Sequence, residues 1–214
     1  ERGIKMNSLS AFLKLDLFKL LSASRLTLIA VALSLAVAFF APGQVVWLLY
    51  LDVFISYCMA LTLISLDEQY HSSYLYGALP ASRNNIVTGR FCFYFVTMTA
   101  LSIIYLILGC ITPFGKPAEN FVFWINFGYC ISLIYVGFVQ ALCYRFKYSS
   151  VRMVAIFSFC LLISFSSIIK NISTELTLSL SISSPLPSFI MAVSGLIIFA
   201  AFLLLGQRLY RHKD

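Results

Sequence analysis

The segment YLYGALPASRNNIVTGR, from Tyr74 to Arg90, lies between two long apolar runs, and it decides the predicted fold. The segment carries one proline, two adjacent asparagines and two arginines. The apolar runs on either side reach about 20 residues, which is the length of an α-helix that crosses a hydrocarbon core. A polar and basic segment between two such runs indicates a loop outside the membrane that joins two membrane-spanning helices.

The composition of the whole chain agrees with this interpretation. Of the 214 residues, 61% are hydrophobic and only 11% are charged, whereas a soluble domain carries about 25% charged residues. Backbone groups inside lipid must pair within the protein, so uncharged runs of this length predict helices. Segments that alternate in hydropathy, as in a membrane barrel, are not evident. We therefore predict an all-α membrane protein.

Six apolar runs predict six transmembrane helices, which together form a membrane domain of residues 26–206. The predicted spans are Leu26–Ala41, Val45–Leu66, Ile86–Ile111, Phe121–Tyr144, Val151–Ile169 and Pro187–Gly206. Residues 207–214 are predicted to form a basic cytoplasmic tail. Residues 1–6 are interpreted as a vector remnant or as the start of the chain.

The basic residues predict how the six spans are oriented. With both termini on the same side, only Lys116 and Lys170 of the 15 lysines and arginines fall on the opposite side. Positively charged loops remain in the cytoplasm, so we predict that both termini and the segment Tyr74–Arg90 are cytoplasmic. The same bias accounts for the formal net charge of +7, and we predict no nucleic-acid partner.

Residues 7–25, before the first span, predict a helix that lies along the cytoplasmic face of the membrane. Five leucines recur at helical spacing on one side of this helix, and two lysines lie away from them. The leucines are Leu9, Leu13, Leu17, Leu20 and Leu21, and the lysines are Lys14 and Lys19. The stripe is imperfect, because Asp16 projects into it while Leu15 and Phe18 fall outside it.

The sequence after the second span predicts a short cytoplasmic helix. Asp67–Glu68 place negative charge where the positive end of such a helix would begin. Tyr70 and Tyr74 stand four residues apart and would give the helix an aromatic face. Gly77 can end the helix, and Pro80 prevents it from continuing. The alternative is a solvated loop whose charges only follow the topology.

The residues LPASR, Leu79 to Arg83, followed by Ile86-Val87 and Arg90, resemble the LP-x-SR-x-x-IV-x-x-[RK] pattern of type 2 ABC transporter permeases. That family has an amphipathic helix before the first of six spans, both termini in the cytoplasm, and a coupling helix between spans two and three. The same layout covers nearly the whole of this chain. Many members follow the acidic residue with a basic residue and glycine, whereas Glu68 is followed here by Gln69-Tyr70.

The resemblance implies that the chain docks on a separate ATPase, which binds ATP and Mg²⁺. The chain itself contains no G-x-x-x-x-G-K-[ST] sequence that could cradle the phosphates of ATP, so no cofactor and no catalytic residue is predicted within it. Residues in and around the coupling helix would contact the ATPase, and the loop Arg145–Tyr148 would add a smaller contact. The predicted coupling residues are Asp67, Glu68, Tyr70, His71, Tyr74, Tyr76 and Arg83.

The resemblance also implies a function and its partners. Small members of the family often export lantibiotics, amphipathic cytolytic peptides or other antimicrobial compounds from bacteria. The expected function is therefore export of an amphipathic or hydrophobic substrate across the cytoplasmic membrane. The expected complex contains two permease subunits, identical or paralogous, two ATPase subunits and membrane lipids. Two alternatives stay open: the six-span substrate-capture subunit of a vitamin importer, and an immunity or sensor protein without transport.

Three polar residues within the predicted spans could line a translocation cavity: Asp52, Asn126 and Gln140. Asp52 lies about 12 Å from the outer turn at about 1.5 Å per residue, and a charge at the membrane centre costs on the order of 3 kcal/mol. Asp52 should therefore face a cavity, a subunit seam, or water near the outer interface. Asn126 and Gln140 fall on one face of the fourth span, where such residues also hydrogen-bond between helices.

The cysteines and histidines indicate no metal site and no catalytic site. None of the six cysteines stands two residues from another, so a disulfide framework or a zinc site is not expected, and we interpret them as small buried apolar residues. The two histidines, His71 and His212, are predicted to be cytoplasmic. An intramembrane serine protease would need a histidine at membrane depth.

Overall fold

The structure of the chain is a computed structural model that describes residues 8–23, 25–41, 43, 45–69, 83–112, 121–162, 164 and 186–211. Within these ranges it contains seven helices and no β-strand, which confirms the predicted all-α fold. The helices are α1 (Ser8–Ala23), α2 (Arg25–Phe40), α3 (Val45–Gln69), α4 (Arg83–Ile111), α5 (Phe121–Cys143), α6 (Tyr148–Leu162) and α7 (Leu186–Arg211).

Four helices, α3, α4, α5 and α7, are long and apolar enough to cross a membrane. Each contains an apolar stretch of at least 23 residues. At about 1.5 Å per residue, such a stretch exceeds the roughly 30 Å thickness of a hydrocarbon core. These helices correspond to the second, third, fourth and sixth predicted spans, which are therefore confirmed as helices of membrane length.

The first and fifth predicted spans form shorter helices. α2 has 16 residues and meets α1 at an angle of 89°. If this bent pair is counted as one span, the number of spans rises from four to five. α6 is apolar but shorter than a membrane span within the described residues. The predicted number of six spans is therefore not confirmed. The coupling helix is predicted to begin at Asp67–Glu68, but these two residues belong to the last turn of α3, and the rest of the predicted helix falls in residues 70–82, outside the described part of the chain.

α5 packs most extensively against α7 and α3, and α4 packs against α5, α7 and α1. α3 and α4 run in opposite directions, because the end of α3 meets the beginning of α4 where Asp67 pairs with Arg90. α5 and α7 run in the same direction, since the rings of Tyr144 and Tyr210 lie 5.2 Å apart at their ends. We call this end of the bundle, where Asp67, Arg90, Tyr144 and Tyr210 lie, the charged end.

Small residues bring α5 and α7 close together. A Cβ atom at Gly195 of α7 would lie 2.6 Å from Sγ and 3.2 Å from Cα of Cys130. A Cβ atom at Gly137 of α5 would lie 3.2 Å from Phe199 and Phe202. In membranes, small residues at helix interfaces allow the close backbone packing that drives helix association. This contact fixes α7 beside α5, with the last turns of both helices at the charged end.

α1 places a charged residue, Asp16, against the bundle. Asp16 is 3% exposed and Leu20 is 8% exposed, while Leu17, Phe18 and Leu21 are 44%, 72% and 51% exposed. Leu17 and Leu21 lie on the outer side of α1 together with Phe18, so the contact of the leucine stripe with the membrane stays a prediction. Asp16 interrupts the leucine pattern because it faces the other helices.

All six cysteines are free thiols. Their interpretation as buried residues holds for Cys58 and Cys130, but it is wrong for Cys110 and Cys160, which are exposed. Large apolar residues beside these two cysteines, such as Ile111 and Leu161, are exposed as well. A surface of this composition is typical of helices that face lipid.

Candidate functional site

The charged end contains a buried ion network built around Arg90 of α4. The Nε atom of Arg90 donates to Asp16 Oδ2 at 3.0 Å, and its Nη2 atom donates to Asp16 Oδ1 at 3.1 Å. Its Nη1 atom lies 2.7 Å from Asp67 Oδ2. The guanidinium group therefore holds one carboxylate through two parallel hydrogen bonds and a second one through its remaining nitrogen. This planar geometry makes arginine suited to buried ion pairs.

Lys19 of α1 completes the network. Its Nζ atom donates to Asp67 Oδ1 at 2.6 Å, so the two oxygens of Asp67 contact different cations. We call Asp16, Lys19, Asp67 and Arg90 the charge quartet. Two acids and two bases balance each other, which allows ionised groups to lie inside the protein, because a buried charge is very costly unless it is paired.

The charge quartet joins three helices at the base of the predicted coupling segment. α3 ends at Gln69, two residues after Asp67, and α4 begins at Arg83, seven residues before Arg90. Asp16 and Lys19 attach α1 to the two helices that flank the segment. The two helices that flank residues 70–82 are therefore joined to each other and to α1 by one connected set of ion pairs.

Most of the predicted coupling residues lie outside the described part of the chain, and their contacts stay predictions. They are Tyr70, His71, Tyr74 and Tyr76, and the side chain of Arg83 also lies outside it. Asp67 is partly buried within the charge quartet, whereas Glu68, the next residue, is exposed. Of the two predicted coupling residues whose side chains are described, Glu68 is the exposed one, and its contact with a partner stays a prediction.

A cleft of about 300 Å³ opens beside the charge quartet. Its walls come from α3, α4, α5 and α7 and from the turn after α5. Its charged and polar lining residues include Asp67, Glu68, Arg90, Gln140, Tyr144 and Lys147. The volume lies at the lower limit for small-molecule sites, so the cleft can hold a small polar group.

Gln140 and Tyr144 form a polar floor of the cleft, and Tyr94 hydrogen-bonds to Gln140. The Tyr94 hydroxyl donates to Gln140 Oε1 at 3.4 Å, and Gln140 Nε2 donates to the Tyr144 hydroxyl at 3.0 Å. Tyr94 and Gln140 are 0% and 2% exposed, so the bonds form in an environment where an unmade hydrogen bond would be costly. They hold the side chain of Gln140 in one orientation between α4 and the end of α5.

Asp52 lies in the other half of α3, away from the cleft. It is 3% exposed, and its Oδ1 atom has no hydrogen-bond partner among the residues that the structure describes. A Cβ atom at Gly128 of α5 would lie 3.2 Å from Asp52 Oδ2, so the carboxylate packs against α5. Asp52 therefore faces protein, and the alternative in which water solvates it does not hold.

The structure does not bring the three candidate cavity residues together. Gln140 lines the cleft, whereas Asn126 is partly buried 14 residues earlier on α5. This spacing corresponds to about 21 Å along the helix axis at about 1.5 Å per residue. Asp52 packs beside Gly128, two residues from Asn126. A role of these residues in translocation therefore concerns two separate places in the bundle.

The sequence patterns did not predict which residues pair within the charge quartet. Two signals could have found them: an aspartate that interrupts the leucine stripe of α1, and an arginine that lies inside the apolar run Ile86–Ile111. Each signal indicates a buried charge, and a buried charge needs a partner of opposite sign. The sequence places Asp16 and Arg90 74 residues apart, however, so it could not show that they pair.

Comparison with known proteins identifies the family. A family model described as ABC-2 family transporter protein matches residues 12–211, nearly the whole chain. No curated protein matches the sequence at a significant level. The match confirms the resemblance carried by residues 79–90, and the helices of membrane length agree with an integral membrane protein. In transporters of this family, a separate ATPase subunit hydrolyses ATP. The chain therefore belongs to the ABC-2 transporter family, as a type 2 permease that forms the membrane subunit of an ABC exporter.

Proposed function

We propose that this permease exports an amphipathic or hydrophobic compound, of the class of antimicrobial or cytolytic peptides, across a bacterial cytoplasmic membrane. An ATPase that docks on residues 67–83 would supply the energy. The observation that carries the proposal is the charge quartet, which holds both ends of this segment. The family match supports the transporter class, and the distribution of basic residues supports cytoplasmic termini.

The charge quartet would let a movement of the docked segment reach the membrane helices. Asp67 and Arg90 join the end of α3 to the start of α4 at 2.7 Å, and α1 is attached to both. Separating the helices would leave buried charges unpaired, at a cost of about 3–5 kcal/mol for a buried pair. A displacement applied between residues 69 and 83 would therefore move α1, α3 and α4 together.

The ATPase would contact side chains that lie outside the quartet, and Asp67 would act by positioning them. The proposed contacts are Glu68, Tyr70, His71, Tyr74, Tyr76 and Arg83. ATP and Mg²⁺ would be bound by that ATPase.

Two permease subunits, identical or paralogous, would enclose the translocation pathway together with membrane lipids. Gln140 would contact the substrate near the charged end, and Asp52 and Asn126 would act in the other half of the bundle.

Copurification with the partner ABC ATPase tests the docking site. We expect the ATPase to copurify with the wild-type chain and to be lost when Tyr70 and Tyr74 are both changed to alanine. Tyr50→Ala, at the opposite end of α3, serves as the matched control and should retain the ATPase. Unchanged copurification of the double variant, with both proteins folded, would contradict docking through this segment.

The same preparation distinguishes the alternative functions. A wild-type chain that never associates with an ATPase would support an immunity or sensor protein. A vitamin that copurifies with the single chain would support the capture subunit of an importer.

The Arg90→Lys variant tests coupling, because it keeps the positive charge but loses the two parallel bonds to Asp16. We expect this variant to retain the ATPase and to lose most substrate-dependent transport in proteoliposomes.

A further inference from the structure

The hydrogen bonds at the floor of the cleft leave one donor available. Gln140 Oε1 accepts from Tyr94, so Gln140 Nε2 is the atom that donates to the Tyr144 oxygen at 3.0 Å. The proton of the Tyr144 hydroxyl then has no acceptor within the described residues. Tyr144 lines the cleft and is only 9% exposed. Its hydroxyl can therefore donate to a ligand oxygen in the cleft.

Two charges of opposite sign line the same cleft outside the charge quartet. Lys147 lies in the turn after α5, and Glu68 lies near the end of α3. In the part of the chain that the structure describes, neither of them forms an ion pair. The charges of Asp67 and Arg90, by contrast, are already balanced within the quartet. A ligand that carries both signs therefore matches the cleft better than a purely anionic or purely cationic one.

The depth of the cleft indicates where such a ligand would come from. The cleft lies at the end of the bundle where α3, α5 and α7 stop and α4 starts, and all four are helices of membrane length. The ends of such helices lie at the level of the lipid headgroups. Apolar residues such as Ile64 and Ile86 also line the cleft, next to its polar groups.

We propose that the cleft binds the phosphoethanolamine headgroup of a phospholipid in the leaflet at the charged end. The phosphate would accept the proton of the Tyr144 hydroxyl and would be attracted by the Lys147 ammonium group. The amine of the headgroup would pair with the Glu68 carboxylate. This lipid would stabilise the turn after α5 against the end of α3. The site needs neither ATP nor a transported substrate, so its failure would leave the exporter proposal intact.

Native mass spectrometry of the full chain in detergent tests the site with three probes. These are dihexanoyl phosphatidylethanolamine, dihexanoyl phosphatidylglycerol and glycerophosphoethanolamine, which has the same headgroup without acyl chains. We expect the ethanolamine lipid to bind more tightly than the glycerol lipid. Lys147→Gln and Tyr144→Phe should each weaken its binding about tenfold, the usual effect of losing a hydrogen bond to a charged group. Glu68→Gln should abolish the preference between the two lipids.

Arg25→Gln is the matched control, because Arg25 is an exposed base at the start of α2 that does not line the cleft. Its lipid affinity should equal that of the wild type. Equal binding of the two lipids by the wild-type chain would overturn the proposal, as would unchanged binding by Lys147→Gln. If Tyr144→Phe does not fold, the exposed positions Lys147 and Glu68 still decide the outcome. Binding of glycerophosphoethanolamine as tight as that of the lipid would support the headgroup site but overturn its membrane source.

Discussion

The two halves of α3 hold buried charge in opposite ways. At the charged end, Asp67 contacts both Lys19 and Arg90, and every member of the charge quartet has a partner on another helix. In the other half, Asp52 is as deeply buried as Asp16, each being 3% exposed. The Oδ1 atom of Asp52 nevertheless has no partner among the described residues.

The ion pairs of the charge quartet hold helices together, whereas the buried carboxylate of Asp52 has no counter-charge within the described part of the chain and does not contribute to stability in this way. Removing one member of a buried pair leaves its partner in the protein without a counter-charge, which is strongly destabilising. An unpaired buried carboxylate is itself unfavourable, so a neutral group of the same shape replaces it at little cost. Substitutions in the two halves of α3 should therefore differ in size and in sign.

The largest effect is expected at the centre of the quartet. Arg90→Gln leaves the carboxylates of Asp16 and Asp67 facing each other without the guanidinium group between them. We expect the free energy of unfolding to fall by about 3–5 kcal/mol, measured by denaturant titration of the purified chain in mixed micelles. Arg208→Gln, which removes an exposed arginine from α7, should change the stability by much less.

A double-substitution cycle checks that the loss comes from pairing. Combining Asp16→Asn with Arg90→Gln should destabilise the chain by less than the sum of the two single substitutions, because residues in one ion network are coupled. Additive losses would contradict the view that Asp16 and Arg90 act as a pair.

A smaller effect is expected where Asp52 packs against α5. In Gly128→Ala, the new Cβ atom would lie 3.2 Å from Asp52 Oδ2, which crowds a closely packed contact. We expect a loss of about 1–2 kcal/mol, as for other overpacked sites. The loss should shrink in an Asp52→Ser background, where the side chain is shorter. An equal loss in both backgrounds would mean that another neighbour of Gly128 causes it.

A still smaller effect is expected at the exposed side of the quartet. The side chains of Lys19 and Asp67 are 15% and 23% exposed, so water screens their attraction. Lys19→Gln should therefore cost about 1 kcal/mol or less, and the remaining effect should decrease in high salt. A loss as large as that of Arg90→Gln would show that Lys19 is as essential as Arg90 to the balance of the quartet.

The smallest effect, with the opposite sign, is expected for Asp52→Asn. The substitution keeps the shape of the side chain and removes a buried carboxylate whose Oδ1 atom has no partner among the described residues. We expect the melting temperature to stay the same or to rise slightly in a thermal unfolding measurement. A clear decrease would indicate that Asp52 has a partner after all, and would make the two halves of α3 alike.

Local sequence patterns were sufficient for the family and for the long helices. The pattern Leu79–Arg90 carries the resemblance that the family match confirms, and the apolar runs at α3, α4, α5 and α7 require helices because lipid offers backbone groups no partners. The shorter helices were harder to interpret. The window Leu26–Ala41 is apolar throughout, but nothing in its composition shows that the chain turns by 89° just before it.

The candidate site followed from the sequence only in part. Glu68 was predicted as a coupling residue and lies exposed at the cleft. Gln140 was predicted to line a translocation cavity; it lines the cleft, and its role in translocation stays a prediction. The leucine stripe of α1, by contrast, predicted only a helix along the cytoplasmic face of the membrane. The pairing of Asp16 with Arg90 depends on how α1 packs against α4. The period of 3.6 residues in the sequence shows which residues share a face of one helix, but not which helix packs against that face.

The sequence by itself determined that this chain enters a membrane as helices and that a basic segment joins two of them, because length and hydropathy set the cost of burying each residue in lipid. Only the tertiary structure decided which buried charges are paired. The attraction between two ions depends on their separation in space, and the packing of α1 against α3 and α4 sets that separation.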